Sequence, residues 1–237
     1  MTEKSFVDSF NANYSEIREK IARAARVRGK TADDITLLAA TKTVSAERIN
    51  YAVSQGISYI GENRVQELLS KDDKVNPSAH RHFIGHLQTN KVKDIIDRVE
   101  MIESVDSLHL AEKISAEACK RSKVMDILLE INIGGEESKS GFTPEGVWDA
   151  VDKIKQLEGI SVCGIMSIPP VCTNREKQRV YFERLYDIFV DISLKKLDNN
   201  KRLYLSMGMS SDYDLAVECG ANLVRIGTAL FGERNYN

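Results

Sequence analysis

The sequence predicts an α/β protein built as a single (β/α)8 barrel of the TIM type, with an extra helix at the N-terminus. Short apolar runs of strand length alternate with amphipathic helical patterns from Ile35 onward. Eight such units in about 200 residues fit the size of a closed parallel barrel. Because no linker or shift in composition divides the chain, residues 1–237 are expected to form one domain.

The N-terminal segment, residues 1–30, has the pattern of an amphipathic helix. Apolar residues recur at spacings of three and four from Val7 to Ala25, and Gly29 is a typical stop. Its basic residues are interleaved with acidic ones such as Glu16, so a solvated face is a better interpretation than a nucleic-acid surface. Since this helix precedes the first strand, we expect it to pack across one end of the barrel.

The strands are apolar runs, and each is separated from the next by a helical pattern. This strict alternation favours a parallel sheet with right-handed crossovers; an open doubly wound sheet is the alternative. The predicted strands are Ile35–Ala40, Ser58–Gly61, His82–Gly85, Met101–Val105, Met125–Ile133, Ile160–Ile165, Leu203–Ser206 and Leu223–Ile226. The predicted helices between them are Ala46–Gln55, Val65–Lys71, Asn90–Arg98, Ser107–Ser122, Pro144–Leu157, Glu176–Leu197 and Ser211–Cys219.

Composition excludes several functional classes. A net charge of −2 and a pI near 6.1 provide no field for nucleic acid or an anionic membrane. No apolar run approaches the roughly 20 residues of a spanning helix, and the N-terminus lacks the apolar region of a signal peptide. The four cysteines are scattered without metal-site or disulfide spacing. We therefore expect a soluble, reduced, cytoplasmic protein.

A lysine follows the first predicted strand, in the stretch Leu37–Thr43. Lys42 lies in the Thr-Lys-Thr that follows the apolar run ending at Ala40, and a helix start comes after it. A partly desolvated lysine has a lowered pKa, and its free amine can attack a carbonyl group. The alternative is an ordinary surface lysine beyond a strand, which the stretch alone favours, because most lysines are exposed.

A barrel carries its chemistry in the loops at the carboxyl ends of its strands. Polar and small residues of this chain are concentrated in those loops. They follow strands one, two, three, six, seven and eight as Lys42, Gly61–Arg64, Gly85–Gln88, Gly164–Ser167, Ser206–Ser210 and Arg225–Thr228.

The loops after strands seven and eight have the composition of a phosphate site. Ser206–Ser211 combines glycine and hydroxyl groups with the start of a helix, and Gly227 and Thr228 add a second such turn. Barrels frequently bind phosphate after these two strands. Each glycine taken singly is better explained as a tight turn, but the two loops together predict an anion site.

Three histidines, His80, His82 and His86, invite a metal interpretation, because the first two are expected to share a strand face. The sequence places no carboxylate or cysteine partner beside them, as a closed metal site requires. No metal site is therefore expected.

Five motifs resemble those of the pyridoxal phosphate homeostasis proteins, single-domain relatives of the barrel half of bacterial alanine racemase. They span nearly the whole chain in that family's order. The motifs are Ala40–Val44, Gly61–Glu67, His82–Lys91, Leu205–Ser210 and Val224–Gly232.

The resemblance implies a site for pyridoxal 5′-phosphate (PLP), in which Lys42 forms a Schiff base with the cofactor. It implies that Ser210, Gly227 and Thr228 contact the phosphate. Arg225 matches an arginine that faces the pyridine nitrogen, where a guanidinium cannot readily share a proton. The full implied set is Lys42, Asn63, His86, Met166, Ser206, Ser210, Arg225, Gly227 and Thr228.

Three members of this set have less certain roles. Met166 resembles a residue beside the ring, and a core methionine is an equally good interpretation. Asn63 and His86 are expected near the cofactor by position, without an assigned role.

The resemblance implies a protein of intracellular PLP (vitamin B6) homeostasis that holds the cofactor without substantial turnover. The alternative is an amino-acid racemase, which needs a second acid–base group opposite Lys42. In alanine racemase a tyrosine from an added β-domain supplies that group. We expect this chain, which ends at Asn237 after strand eight, to lack that domain; Tyr213 or Tyr236 is the remaining source.

A third, weaker hypothesis is a phosphosugar barrel enzyme that uses its lysine without a cofactor. Lack of the dimerising β-domain favours a monomer. The sequence leaves open whether the cofactor passes from this protein to PLP-dependent apoenzymes.

Overall fold

Eight parallel strands close into a barrel in the computed structural model, which describes residues 3–194 and 202–232. Each strand pairs with the next along the chain, and pairing of the first with the eighth closes the ring. The predicted barrel is confirmed, and the open sheet is wrong. The strands are β1 (Thr36–Ala40), β2 (Tyr59–Glu62), β3 (His80–Phe83), β4 (Met101–Val105), β5 (Met125–Glu130), β6 (Ile160–Met166), β7 (Tyr204–Ser206) and β8 (Leu223–Ile226).

Helices surround the barrel and connect successive strands. Short 3-10 turns, Ala32–Asp34 and Thr89–Lys91, precede β1 and the fourth helix. The helices are α1 (Glu3–Arg26), α2 (Ala46–Ser54), α3 (Val65–Lys71), α4 (Val92–Ile95), α5 (Leu108–Cys119), α6 (Val147–Ile154), α7 (Arg175–Leu194), α8 (Tyr213–Glu218) and α9 (Thr228–Phe231).

Some predicted boundaries differ from the observed ones. β3 begins at His80, two residues before the predicted start, because its backbone pairs with β2 from that residue onward. β5 ends at Glu130, and Ile131 instead forms an isolated bridge with Phe142. The short helix α9 was not predicted. The predicted end of the long seventh helix, at Leu197, lies outside the described residues.

The first helix does not pack across one end of the barrel as predicted; α1 runs along the outside. Its apolar side contacts α2, α8 and α9: the Phe10 ring lies 5.5 Å from the Tyr51 ring and 5.8 Å from the Phe231 ring. Beyond its C-terminus, Arg28 Nε donates to Glu218 O at the end of α8. Because the apolar stripe faces this helical layer throughout its length, α1 joins the layer.

Two apolar regions stabilise the fold. A large core lies between the strands and the helices, with fully buried side chains such as Phe83 and Phe182. Two small clusters lie among residues of the strands, one around Met101 and Met166 and one around Leu38. Since aliphatic side chains fill only part of the barrel interior, polar groups occupy the rest.

No helix among residues 3–194 and 202–232 is long and apolar enough to cross a membrane. All four cysteines, Cys119, Cys163, Cys172 and Cys219, lie in this part of the chain and are free.

Candidate functional site

Lys42 is the second residue after β1, at the carboxyl end of the barrel, and its side chain is partly buried. The preceding Thr41 is buried, and its hydroxyl oxygen is 2.7 Å from Glu62 Oε1. The following Thr43 has a φ of 63°, in the left-handed region that β-branched residues rarely adopt. Its N–H donates to Glu67 Oε2 at 2.7 Å. Two anchored threonines therefore hold the lysine between them.

Lys71 of α3 supports this loop from the helical layer. Its ammonium donates to Thr41 O at 3.0 Å and to Glu62 Oε1 at 2.8 Å. Burial raises the pKa of Glu62 above its ordinary value, and Lys71 opposes that rise. Within the described residues Glu62 Oε2 is buried without a hydrogen-bond partner. The pair therefore fixes the loop through one oxygen of a nearly buried carboxylate.

Replacing this cation should destabilise the protein. Lys71→Met keeps the aliphatic volume but leaves Glu62 without its countercharge, so we expect a loss of about 2–3 kcal/mol in the free energy of unfolding at pH 7. This is below the roughly 3–5 kcal/mol of a fully buried pair, because the Lys71 side chain is 14% exposed. Urea denaturation measures the loss. The exposed Lys74→Met is the control, and equal losses in both variants would contradict the role of Lys71.

The loops after β7 and β8 meet at Ser210. Its hydroxyl oxygen accepts hydrogen bonds from Gly227 N–H at 3.3 Å and from Ala229 N–H at 3.1 Å. A Cβ atom at Gly227 would lie 3.2 Å from Ala40 O, so this turn passes close to the end of β1. An anionic oxygen at this junction can accept the same amide N–H groups. The adjacent Thr228 is exposed and adds a hydroxyl group.

Asn63 and His86 follow β2 and β3 at the same end of the barrel. Asn63 Oδ1 is buried and has no hydrogen-bond partner among the described residues. The His86 side chain is exposed, and its Nδ1 lies 3.2 Å from Asp106 Oδ2. A groove beside this pair is lined by residues of the loops after β3, β4 and β5, including Ser107 and Gly141. An unpaired buried acceptor at the mouth is a site that a bound ligand can satisfy.

Met166 and Ser206 are more completely buried than the other predicted site residues. Met166 is 1% exposed and packs with Met101, Leu128 and Cys163. Ser206 is fully buried, and its hydroxyl is engaged by neighbouring side chains rather than exposed at the mouth. These positions favour a core role for Met166 and a supporting role for Ser206.

A chain of hydrogen bonds crosses the barrel interior. Arg225 NH1 donates to Ser206 Oγ at 2.5 Å, and that hydroxyl lies 2.6 Å from Glu103 Oε2. Glu103 Oε1 lies 2.7 Å from His82 Nδ1. The contact between Glu103 and Ser206 spans the lumen, because β5 and β6 separate their strands in the ring. Arg225 NH2 also donates to Ser167 O at 2.9 Å.

This chain of hydrogen bonds brings two buried charges, those of Glu103 and Arg225, into balance. Burial by itself raises the pKa of Glu103, but the hydrogen bond and charge of His82, together with Arg225, outweigh it, and the net pKa lies below its usual value. Burial lowers the pKa of Arg225, and Glu103, Glu130 and Asp212 oppose that change. Glu103 therefore serves as a buried countercharge to the guanidinium.

The pKa of Glu130, at the end of β5, is shifted in the opposite direction to that of Glu103. Burial raises its pKa to about 7, Asp106 adds to the rise, and Arg225 opposes it. The folded protein therefore binds a proton here that the unfolded chain releases near pH 4.5, so the stability contributed by this group falls as the pH rises from 4.5 to 7.

Glu130→Gln should remove that pH dependence. As the pH rises from 5 to 8, the free energy of unfolding of the variant should increase relative to that of wild type by up to about 3 kcal/mol. Urea denaturation at both pH values measures this difference. The exposed Glu112→Gln on α5 is the control. An equal pH dependence in wild type and Glu130→Gln would contradict the raised pKa.

Sequence reasoning missed Glu103, Glu130 and Lys71. Glu103 had a signal, because it is the one carboxylate in the apolar strand β4, and Glu130 had a weaker one, as a carboxylate that ends the buried run Ile127–Leu129 of β5. Such a residue is rarely buried without a partner. Lys71 had none, because a lysine near the end of an amphipathic helix is ordinary.

Each histidine of β3 and its loop has a carboxylate neighbour that the local sequence did not indicate. His80 Nδ1 lies 2.7 Å from Glu100 Oε2, and His82 and His86 pair with Glu103 and Asp106. No group of three or more His, Cys, Asp or Glu side chains suited to a metal ion occurs among the described residues.

The fold and the lysine at its carboxyl end define a (β/α)8-barrel protein of the alanine racemase type. The family described as "Alanine racemase, N-terminal domain" matches residues 7–235. More particularly, the chain belongs to the pyridoxal phosphate homeostasis protein family. A protein of that name from Aquifex aeolicus is 42% identical over 223 residues, which cover 94% of this chain and 97% of that protein. The predicted resemblance is confirmed.

Solved structures agree with this assignment. A protein described as unknown, from Bifidobacterium adolescentis, has a TM-score of 0.90 at 34% identity and covers 98% of both chains. PipY of Synechococcus elongatus, solved with PLP bound, has a TM-score of 0.77 at 30% identity. That match covers 90% of this chain and all of PipY.

Proposed function

We propose that this protein binds PLP at the carboxyl end of its barrel and takes part in intracellular PLP homeostasis without substantial turnover. The observation that carries the proposal is a lysine amine at the end of β1 together with amide N–H groups that converge at Ser210. The amine is the group that can bond to an aldehyde, and the amide N–H groups are the donors that can bind a phosphate. The names of the relatives and the PLP bound to PipY support the same ligand.

Each implied residue has a part in this site. Bound PLP supplies an aldehyde that reacts with an amine. Lys42 would hold that aldehyde through its side-chain amine. Ser210, Gly227 and Thr228 would hold the phosphate, and the buried guanidinium of Arg225, near the carboxyl end of β8, would face the pyridine nitrogen.

The remaining positions complete or support the site. Asn63 has a buried acceptor that a ligand can satisfy. His86 lies at the rim, whereas Ser206 and Met166 support the site from below. We further propose that residues 1–237 act as one monomeric cytoplasmic domain and pass PLP to apoenzymes that depend on it.

The racemase alternative needs an acid–base group opposite Lys42. Tyr213 does not suit this role, because it is 5% exposed within the outer core and lies near the charges of Lys20 and Glu16 on α1. Tyr236 lies outside the described residues. The racemase alternative stays open because of Glu130, whose pKa of about 7 suits proton transfer.

Two measurements test the proposal. Purified protein mixed with PLP should show the absorption band of a lysine-bound aldehyde, and unchanged free-PLP absorption would contradict binding. Exchange of the Cα proton of L- and D-alanine in deuterated water, followed by NMR, tests turnover. A positioned acid–base group is worth about 10²–10⁴-fold, so we expect exchange far below ordinary enzyme rates. Rapid exchange that Lys42→Ala abolishes would establish the racemase instead.

A further inference from the structure

We propose that Glu103 is a positioning residue for Arg225. Its carboxylate reaches the guanidinium through the Ser206 hydroxyl and fixes the orientation of that buried cation near the carboxyl end of β8. This inference rests on the proposed function, in which the mouth holds PLP.

The geometry allows one role for each group in the chain. Arg225 has only donors, so the Ser206 oxygen accepts from it. The Ser206 hydroxyl then has one proton to donate, and Glu103 Oε2 is 2.6 Å away. The second oxygen, Oε1, is engaged by His82. Because both of its oxygens are engaged, the Glu103 carboxylate cannot rotate freely. It therefore fixes the direction of the Ser206 hydroxyl, which in turn fixes the guanidinium.

Burial makes this orientation strict. Glu103 and Ser206 are 0% exposed, and Arg225 is 4% exposed. Water therefore cannot easily replace either partner, and a buried cation without a countercharge is strongly disfavoured. Glu130 and Asp212 also act on the guanidinium, but their pKa values are raised by burial. Glu103 is the one of these three carboxylates whose pKa is lowered, and it is also the one joined to Arg225 through the Ser206 hydroxyl.

The chain also explains a charged residue in the middle of β4. Glu103 lies between Met101 and Val105 in a strand that is buried throughout. A leucine there would suit the barrel interior better, unless the carboxylate serves a neighbouring group. Its position on a rigid strand, rather than on a loop, suits a residue that must hold another in place.

The test uses Glu103→Gln and Ser206→Ala, with Ser161→Ala as the control. Ser161 is a buried serine of β6. It is not part of the hydrogen-bond chain formed by His82, Glu103, Ser206 and Arg225. The first two variants should weaken PLP binding by about tenfold or more, and the control should bind as wild type does. The double variant should bind PLP about as tightly as whichever single variant has the lower affinity, since both changes break the same chain of hydrogen bonds.

A second readout does not need the cofactor. In the apo protein, NMR should show the Arg225 guanidinium N–H signals as resolved and slow to exchange with water. Glu103→Gln and Ser206→Ala should lose this protection. Rapidly exchanging signals in wild type would overturn the proposal even where a variant fails to fold.

The outcomes separate this inference from the proposed function. If wild type does not bind PLP but its Arg225 signals respond to both variants, the proposed function fails and the positioning role stands. If wild type binds PLP and folded Glu103→Gln binds it equally well, the positioning role is wrong and the proposed function stands.

Discussion

Borohydride reduction of the PLP-loaded protein is expected to leave a pyridoxyl group on Lys42, and Lys42→Ala is expected to abolish the labelling. The reason is positional: Lys42 follows β1 at the barrel mouth, between two threonines that are anchored by hydrogen bonds. Its amine attacks the aldehyde carbon, water leaves, and borohydride reduces the resulting C=N bond to a stable amine. Peptide mapping by mass spectrometry identifies the labelled residue.

Lys71 is the most informative competitor for this label. Its ammonium already donates to Thr41 O and Glu62 Oε1, and protonated, hydrogen-bonded nitrogen is a poor nucleophile. The exposed Lys74→Ala should label as wild type does. A pyridoxyl group on Lys71, or a Lys42→Ala protein that still labels at another lysine, would contradict the assignment.

Replacing both Ser210 and Thr228 with alanine should weaken PLP binding steeply and pyridoxal binding little. A hydroxyl that donates to a phosphate dianion makes a charge-assisted hydrogen bond of roughly 1.5–3 kcal/mol. Loss of two such bonds corresponds to about 10²–10⁴-fold in the dissociation constant. Titration calorimetry with PLP and with pyridoxal, which lacks the phosphate, gives both constants.

The neighbouring Ser211→Ala is the matched control, because Ser211 is exposed one residue beyond Ser210 in the same loop. It should leave both constants unchanged. Equal losses for PLP and pyridoxal in the double variant would show that the phosphate binds elsewhere.

The sequence by itself determined the order of elements and the position of the candidate lysine. Each strand is a local apolar run, and parallel strands joined by helices place all their carboxyl ends at one side. Lys42, Asn63, Ser210 and Gly227 could therefore be assigned to one end of the barrel without coordinates. β4 and β8 were predicted to the residue, since a polar residue or a glycine flanks each of these apolar runs on both sides.

Only the tertiary structure decided which side chains meet across the barrel. Glu103 and Ser206 are far apart in sequence, and no local pattern indicates that their contact spans the lumen. The packing of α1 along the barrel was likewise decided by partners that come last in the chain, such as Phe231. Periodicity reports which face of an element is apolar. The partner of a buried charge is set by closure of the ring, which brings β4, β7 and β8 around one small interior.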